Sequence, residues 1–78
     1  MENDMKKLIG LLEGIRPDVD FENEKSLIDD GLIESLDIVA IVTEIMAEFD
    51  VEISVDDLVP ENFNSADDIL AMIKAKQS

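Results

Sequence analysis

The chain has no cysteine, no histidine, no tryptophan and no tyrosine. Without cysteine there is no disulfide framework and no thiolate metal site, and without histidine the other common zinc ligand is missing as well. The same lack removes the imidazole base that a serine nucleophile uses in a hydrolytic triad. Small secreted domains usually depend on disulfide staples, so a reducing cytoplasm is the expected setting. Aromatic residues are limited to three phenylalanines, which leaves leucine, isoleucine, valine and methionine to build the core. No apolar run approaches the roughly 20 residues needed to cross a bilayer, so no transmembrane segment is expected. The start, Met1-Glu2-Asn3-Asp4, is acidic and carries no apolar signal segment.

Bases are scarce too: six stand against twenty acids, for a formal charge of −14. Residues 26–73 carry thirteen acids and no base. Repulsion from phosphate excludes nucleic acid as a partner and disfavours an anionic membrane surface. Basic protein surfaces and cations are the natural complements. Seventy-eight residues make one domain, 1–78, expected to be a monomer. A core of this size is thin, burying only about 60% of the surface the unfolded chain exposes.

What is present reads as helix. Met5, Leu8, Leu12 and Ile15 recur at three- and four-residue steps, with Ile9 and Leu11 widening the stripe, and predict a helix over residues 4–14. Asn3 or Asp4 suits its start, and Gly14 followed by Arg16-Pro17 reads as a glycine cap and a stop. Residues 15–34 form a long connection that Phe21, Leu27, Ile28 and Leu32 are expected to anchor on the bundle. A second helix spans 35–49, with Ile38, Val42, Ile45 and Phe49 inward and Val39 and Met46 beside them. Asp37, Glu44 and Glu48 lie on the other side, with Ile41 close to them. Ser35 is the expected N-cap. Val51, Ile53 and Val55 alternate in an extended connector, and 56–59 allow at most a helical turn ended near Pro60. Ser65-Ala66-Asp67-Asp68 opens a last helix in which Ile69, Leu70 and Ile73 face inward. Lys74 and Lys76 sit at its negative end. The expected fold is all-α: a small, up-and-down-like bundle of three main helices plus one short helix.

One octapeptide stands out: Asp30-Gly31-Leu32-Ile33-Glu34-Ser35-Leu36-Asp37. A flexible turn delivers a serine to the first residue of a long acidic helix. This segment resembles the Asp-Ser-Leu attachment motif of acyl carrier proteins. The resemblance continues through Glu48-Phe49-Asp50-Val51-Glu52-Ile53 and reaches Asn62-Phe63-Asn64-Ser65-Ala66-Asp67-Asp68-Ile69, covering about residues 25–73. It implies an acyl-carrier-like bundle in which Ser35 receives 4′-phosphopantetheine from coenzyme A. The chain would then carry acyl or aminoacyl groups as thioesters for fatty-acid, polyketide or related biosynthesis, with no catalysis of its own. The implied partners are a phosphopantetheinyl transferase, an acyltransferase or acyl or aminoacyl ligase, and condensing enzymes. The implied partner contacts are Glu34, Leu36, Asp37, Val39, Thr43, Glu44 and Glu48. Glu34 departs from the usual aspartate, Thr43 is polar where the family commonly has an apolar contact, and Ala40 replaces a common glutamate.

The residues also admit plainer readings. Taken alone, Ser35 is an ordinary cap, the helix acids are a solvated face, and the Ile38–Phe49 stripe is core. An unmodified acidic interaction module is therefore the alternative function. A further one is divalent-metal binding. Asp18, Asp20, Glu22, Glu24, Ser26 and Asp29 fall at the ligand positions of an EF-hand loop. Asn23 replaces its glycine, Asp29 its final glutamate, and Lys25 its apolar residue, and no partner loop exists, so no metal site is expected.

Overall fold

The computed structural model describes residues 2–77. Four α-helices follow in order: α1 (Glu2–Ile15), α2 (Ser35–Phe49), α3 (Pro60–Phe63) and α4 (Ala66–Gln77). A single 3-10 turn (Val55–Asp57) precedes α3, and no strand occurs among the described residues. Helix α1 packs against both α2 and α4, and α3 packs on α4. The architecture is thus the expected all-α bundle of three main helices and one short one.

The core is aliphatic around three phenylalanines. Leu8 and Leu12 of α1, Ile41 and Ile45 of α2, and Ile69 and Ile73 of α4 are fully buried, together with Phe21 and Phe63. Each such side chain contributes about 1.5–3 kcal/mol relative to an exposed one. Ile41 was expected beside the acids of α2, but it lies in the core because α1 closes over that flank. Ile38 and Val42 are only partly buried at its edge. The long connection is packed down by Phe21 and Leu27, with Ile28 and Leu32 half-buried against them, as expected. Val19 and Ile33 also anchor it.

Several helix ends depart from the sequence reading. Helix α1 begins at Glu2, so Asn3 and Asp4 lie inside its first turn rather than at its cap. Gly14 is helical rather than a C-cap, and α1 runs one residue further, to Ile15. The Arg16 N–H still donates to the Leu12 carbonyl at 2.9 Å. Pro60 starts a helix instead of ending one. It occupies the first turn of α3, where its missing N–H costs no helical bond, and Val59 before it is extended. The capping of α4 by Ser65 is as expected: its buried hydroxyl accepts the Asp68 N–H at 3.0 Å.

Candidate functional site

The approach to Ser35 is built from backbone hydrogen bonds. The turn through 27–31 ends with Gly31 at φ +72°, a left-handed conformation that glycine adopts without a Cβ penalty. The Gly31 N–H donates to the Ile28 carbonyl at 3.0 Å and the Leu32 N–H to the Leu27 carbonyl at 2.8 Å. That pair of bonds is a Schellman closure, the arrangement that commonly terminates helices. The Ile33 N–H adds a third bond, also to the Leu27 carbonyl, at 3.2 Å. The turn expected to be flexible is therefore tied down.

Asn64, at the α3–α4 junction, holds the same turn from the other side. Its backbone carbonyl accepts the Leu27 N–H at 2.8 Å. Its side-chain oxygen accepts the Ile28 and Asp29 N–H groups at 3.0 and 3.1 Å. Sequence reasoning missed Asn64 as a support for the site, because its partners lie 35 and 36 residues away.

Ser35 is the first residue of α2 and is exposed, but it is not the cap. The N-cap is Glu34, with extended backbone, joined to Asp37 in a capping box. The Asp37 carboxylate accepts the Glu34 N–H at 3.0 Å, and the Ile38 N–H opens the helix by donating to the Glu34 carbonyl at 2.9 Å. The chain enters the helix one residue earlier than a serine cap requires, so the two carboxylates take the structural task. Ser35 stands exposed in the first turn of α2, a helix end whose partial positive charge suits a phosphate ester.

The residues expected to meet partners fall on two sides of α2. Leu36 is 84% exposed and Val39 59%, large apolar side chains close in sequence to Ser35. Thr43 is exposed beyond them, its hydroxyl donating to the Val39 carbonyl at 2.8 Å. Asp37, Glu44 and Glu48, spaced by seven and four residues, share the flank that faces α1. There Arg16 Nη1 donates to Asp37 Oδ2 at 2.7 Å, and Lys7 lies 3.9 Å from the Glu48 carboxylate. Lys7 also donates to the Glu48 carbonyl at 2.9 Å and sits over the Phe49 ring. Two of the three acids on this flank are thus paired with bases of the α1 segment. Glu34 and Glu44 are the exposed acids left near them.

Arg16 is gripped on two sides. Besides Asp37, it donates from Nε and Nη2 to the two oxygens of Asp18, at 3.0 and 2.9 Å. The hydrogen bonds to Asp18 and then Asp37 push the guanidinium further up from its ordinary value, and those from Arg16 hold the Asp18 carboxyl down. This chemistry leaves the EF-hand-like loop without a ligand set. Asp18 is engaged by Arg16, Asp20 by Asn23, and Asp29 by Asn64 at 3.3 Å. No three described carboxylates come together in a way that could hold a metal ion.

The family model of the phosphopantetheine attachment site matches residues 3–73. The chain belongs to that family. It is an acyl-carrier-type domain, and the family's prosthetic group is 4′-phosphopantetheine, held covalently on a serine. Comparison with curated proteins and with solved structures gave no match. Phosphopantetheine carriers are generally non-catalytic and interact with the enzymes that modify and use them. Among the described residues of this carrier domain, no helix is long and apolar enough to cross a membrane.

Proposed function

We propose that residues 1–78 form a stand-alone, non-catalytic acyl carrier protein of the cytoplasm, with Ser35 as its attachment residue. One observation carries the assignment: Ser35 offers an exposed hydroxyl at the first residue of α2 while Glu34 and Asp37 do the capping. Loading then breaks no bond that holds the helix. Ser35 Oγ forms the new bond to phosphorus as the pyrophosphate linkage of coenzyme A breaks, the nucleotide leaves, and the hydroxyl proton passes to the transferase. Once bound, the arm supplies a terminal thiol for thioester chemistry, a group this cysteine-free chain lacks.

The chain's own part is presentation. The first-turn N–H groups of α2 offset the added negative charge. Leu36 and Val39 give an approaching enzyme apolar contact beside the serine, and Glu34 and Glu44 give a basic partner a field to steer toward. Asp37 and Glu48 contribute less to that field because each has a base beside it. The proposed partners are a phosphopantetheinyl transferase, an acyltransferase or acyl or aminoacyl ligase, and condensing enzymes. Intact-mass measurement tests the assignment after incubation with coenzyme A, magnesium and a broad-specificity transferase. The expected result is a gain of one phosphopantetheine group mapped to Ser35, absent in Ser35→Ala. A gain that persists in Ser35→Ala overturns the assignment.

A further inference from the structure

We propose that Arg16 is a positioning residue for the loading of Ser35. The proposal rests on Ser35 being the attachment residue and adds what holds that residue in place. Asp37 Oδ2 receives two donors at once: Arg16 Nη1 at 2.7 Å and the Glu34 N–H at 3.0 Å. The guanidinium therefore fixes the Asp37 carboxylate, which in turn holds the N–H of Glu34, the residue before the serine. Asp18 orients the guanidinium in turn through two parallel bonds, the bidentate geometry that gives arginine its directional grip. The base of the chain of contacts is firm, because Arg16 directly follows α1 and its N–H continues the helical bonding to Leu12.

The Arg16 side chain is 29% exposed and that of Asp37 21%, so water screens this pair, like Lys76–Asp57, less than the more exposed ion pairs of the surface. The relay Asp18–Arg16–Asp37–Glu34 thus runs from the end of α1 to the start of α2 across the whole of the connecting loop. Arginine, shared with Asp18, also offsets part of the Asp37 charge. A basic transferase meets a first turn whose order is kept and whose charge is reduced.

Two readouts test this, one of them independent of loading. In the unmodified chain, Arg16→Gln is expected to speed hydrogen exchange of the Glu34 amide by about three- to tenfold, the range set by loss of a cap or an ion pair. The Ile45 amide, deep in α2, should exchange as before. In transferase kinetics, Arg16→Gln should lower kcat by a similar factor without raising KM, since freeing the Asp37 charge favours a basic enzyme. Arg16→Lys, which keeps the charge but not the fork, should recover part of both effects. Lys25→Gln, which removes the pair to Asp67, serves as the control and should change neither.

The inference is overturned if Arg16→Gln loads with wild-type kcat, or if Lys25→Gln lowers kcat equally. It is also overturned if KM rises while kcat holds, or if Glu34 exchange does not change. A wild-type chain that fails to load at Ser35 overturns the attachment assignment as well, so the two failures are distinguishable.

Discussion

On the proposed assignment, removing the Ser35 hydroxyl takes away the attachment point without taking away a cap. Ser35→Ala is therefore expected to abolish loading while shifting stability by less than about 0.5 kcal/mol, the range of a surface substitution that breaks no special feature. Urea unfolding followed by circular dichroism checks the second half. A loss of about 1 kcal/mol or more would return the capping role to the serine. The place of Ser35 at the start of α2 was legible in the sequence, because the glycine turn, the serine and the acidic helix lie within eight consecutive residues. Its supports were not. Arg16 lies 21 residues from Asp37, and no periodicity brings a base across that distance. The pairing of Asp37 was hidden for the same reason: it is tertiary, and composition sees only an unopposed acid.

The helices were legible wherever burial sets them, because a stripe at three- and four-residue steps needs no knowledge of the neighbour. Their ends were not, since competing local bonds decide them. Glu34 displaced Ser35 as a cap, Gly14 stayed helical, and Pro60 opened a turn that it was expected to close. Ile41 was misplaced because the wheel of α2 shows a core face but not how far α1 wraps around it. The long loop is the element on which the site depends most, and Asn64 is its clasp. Asn64→Ala removes two side-chain bonds to the backbone of that loop and is expected to cost about 1–3 kcal/mol. In denaturant titration the midpoint should fall with an unchanged slope, which separates a loss of stability from a loss of cooperativity. Transferase loading should slow in the same variant even under conditions where the chain stays folded. Full-rate loading would mean that the turn needs no clasp.

Across the described residues, ion pairs join separate elements: Lys7 to Glu48, Lys25 to Asp67, Lys74 to Asp4, Lys76 to Asp57, and Arg16 to Asp37. Hydrogen bonds from Lys74, Arg16 and Lys76 hold the carboxyls of Asp4, Asp18 and Asp57 below their ordinary 3.8. The unfolded chain therefore takes up these protons first as pH falls. The stability these pairs give is whole above about pH 3.8 and is lost as pH drops through the lower folded values. Thermal unfolding across acid pH should show that loss, and Lys76→Met should blunt it. The remaining acids repel one another. The melting temperature at pH 7 should rise between about 0.01 M and about 0.5 M salt, as the screening length shrinks from about 30 Å to a few ångströms. A flat response would mean that the charge of −14 does not strain the fold. The capping of α2 by Glu34 and Asp37 has one more consequence. On the proposed assignment, a serine with no structural duty leaves the empty and the loaded protein with one expected shape. An enzyme that grips only the helix surface would then not tell them apart, and the empty form is expected to compete with the loaded one. Discrimination would have to come from the arm and its cargo.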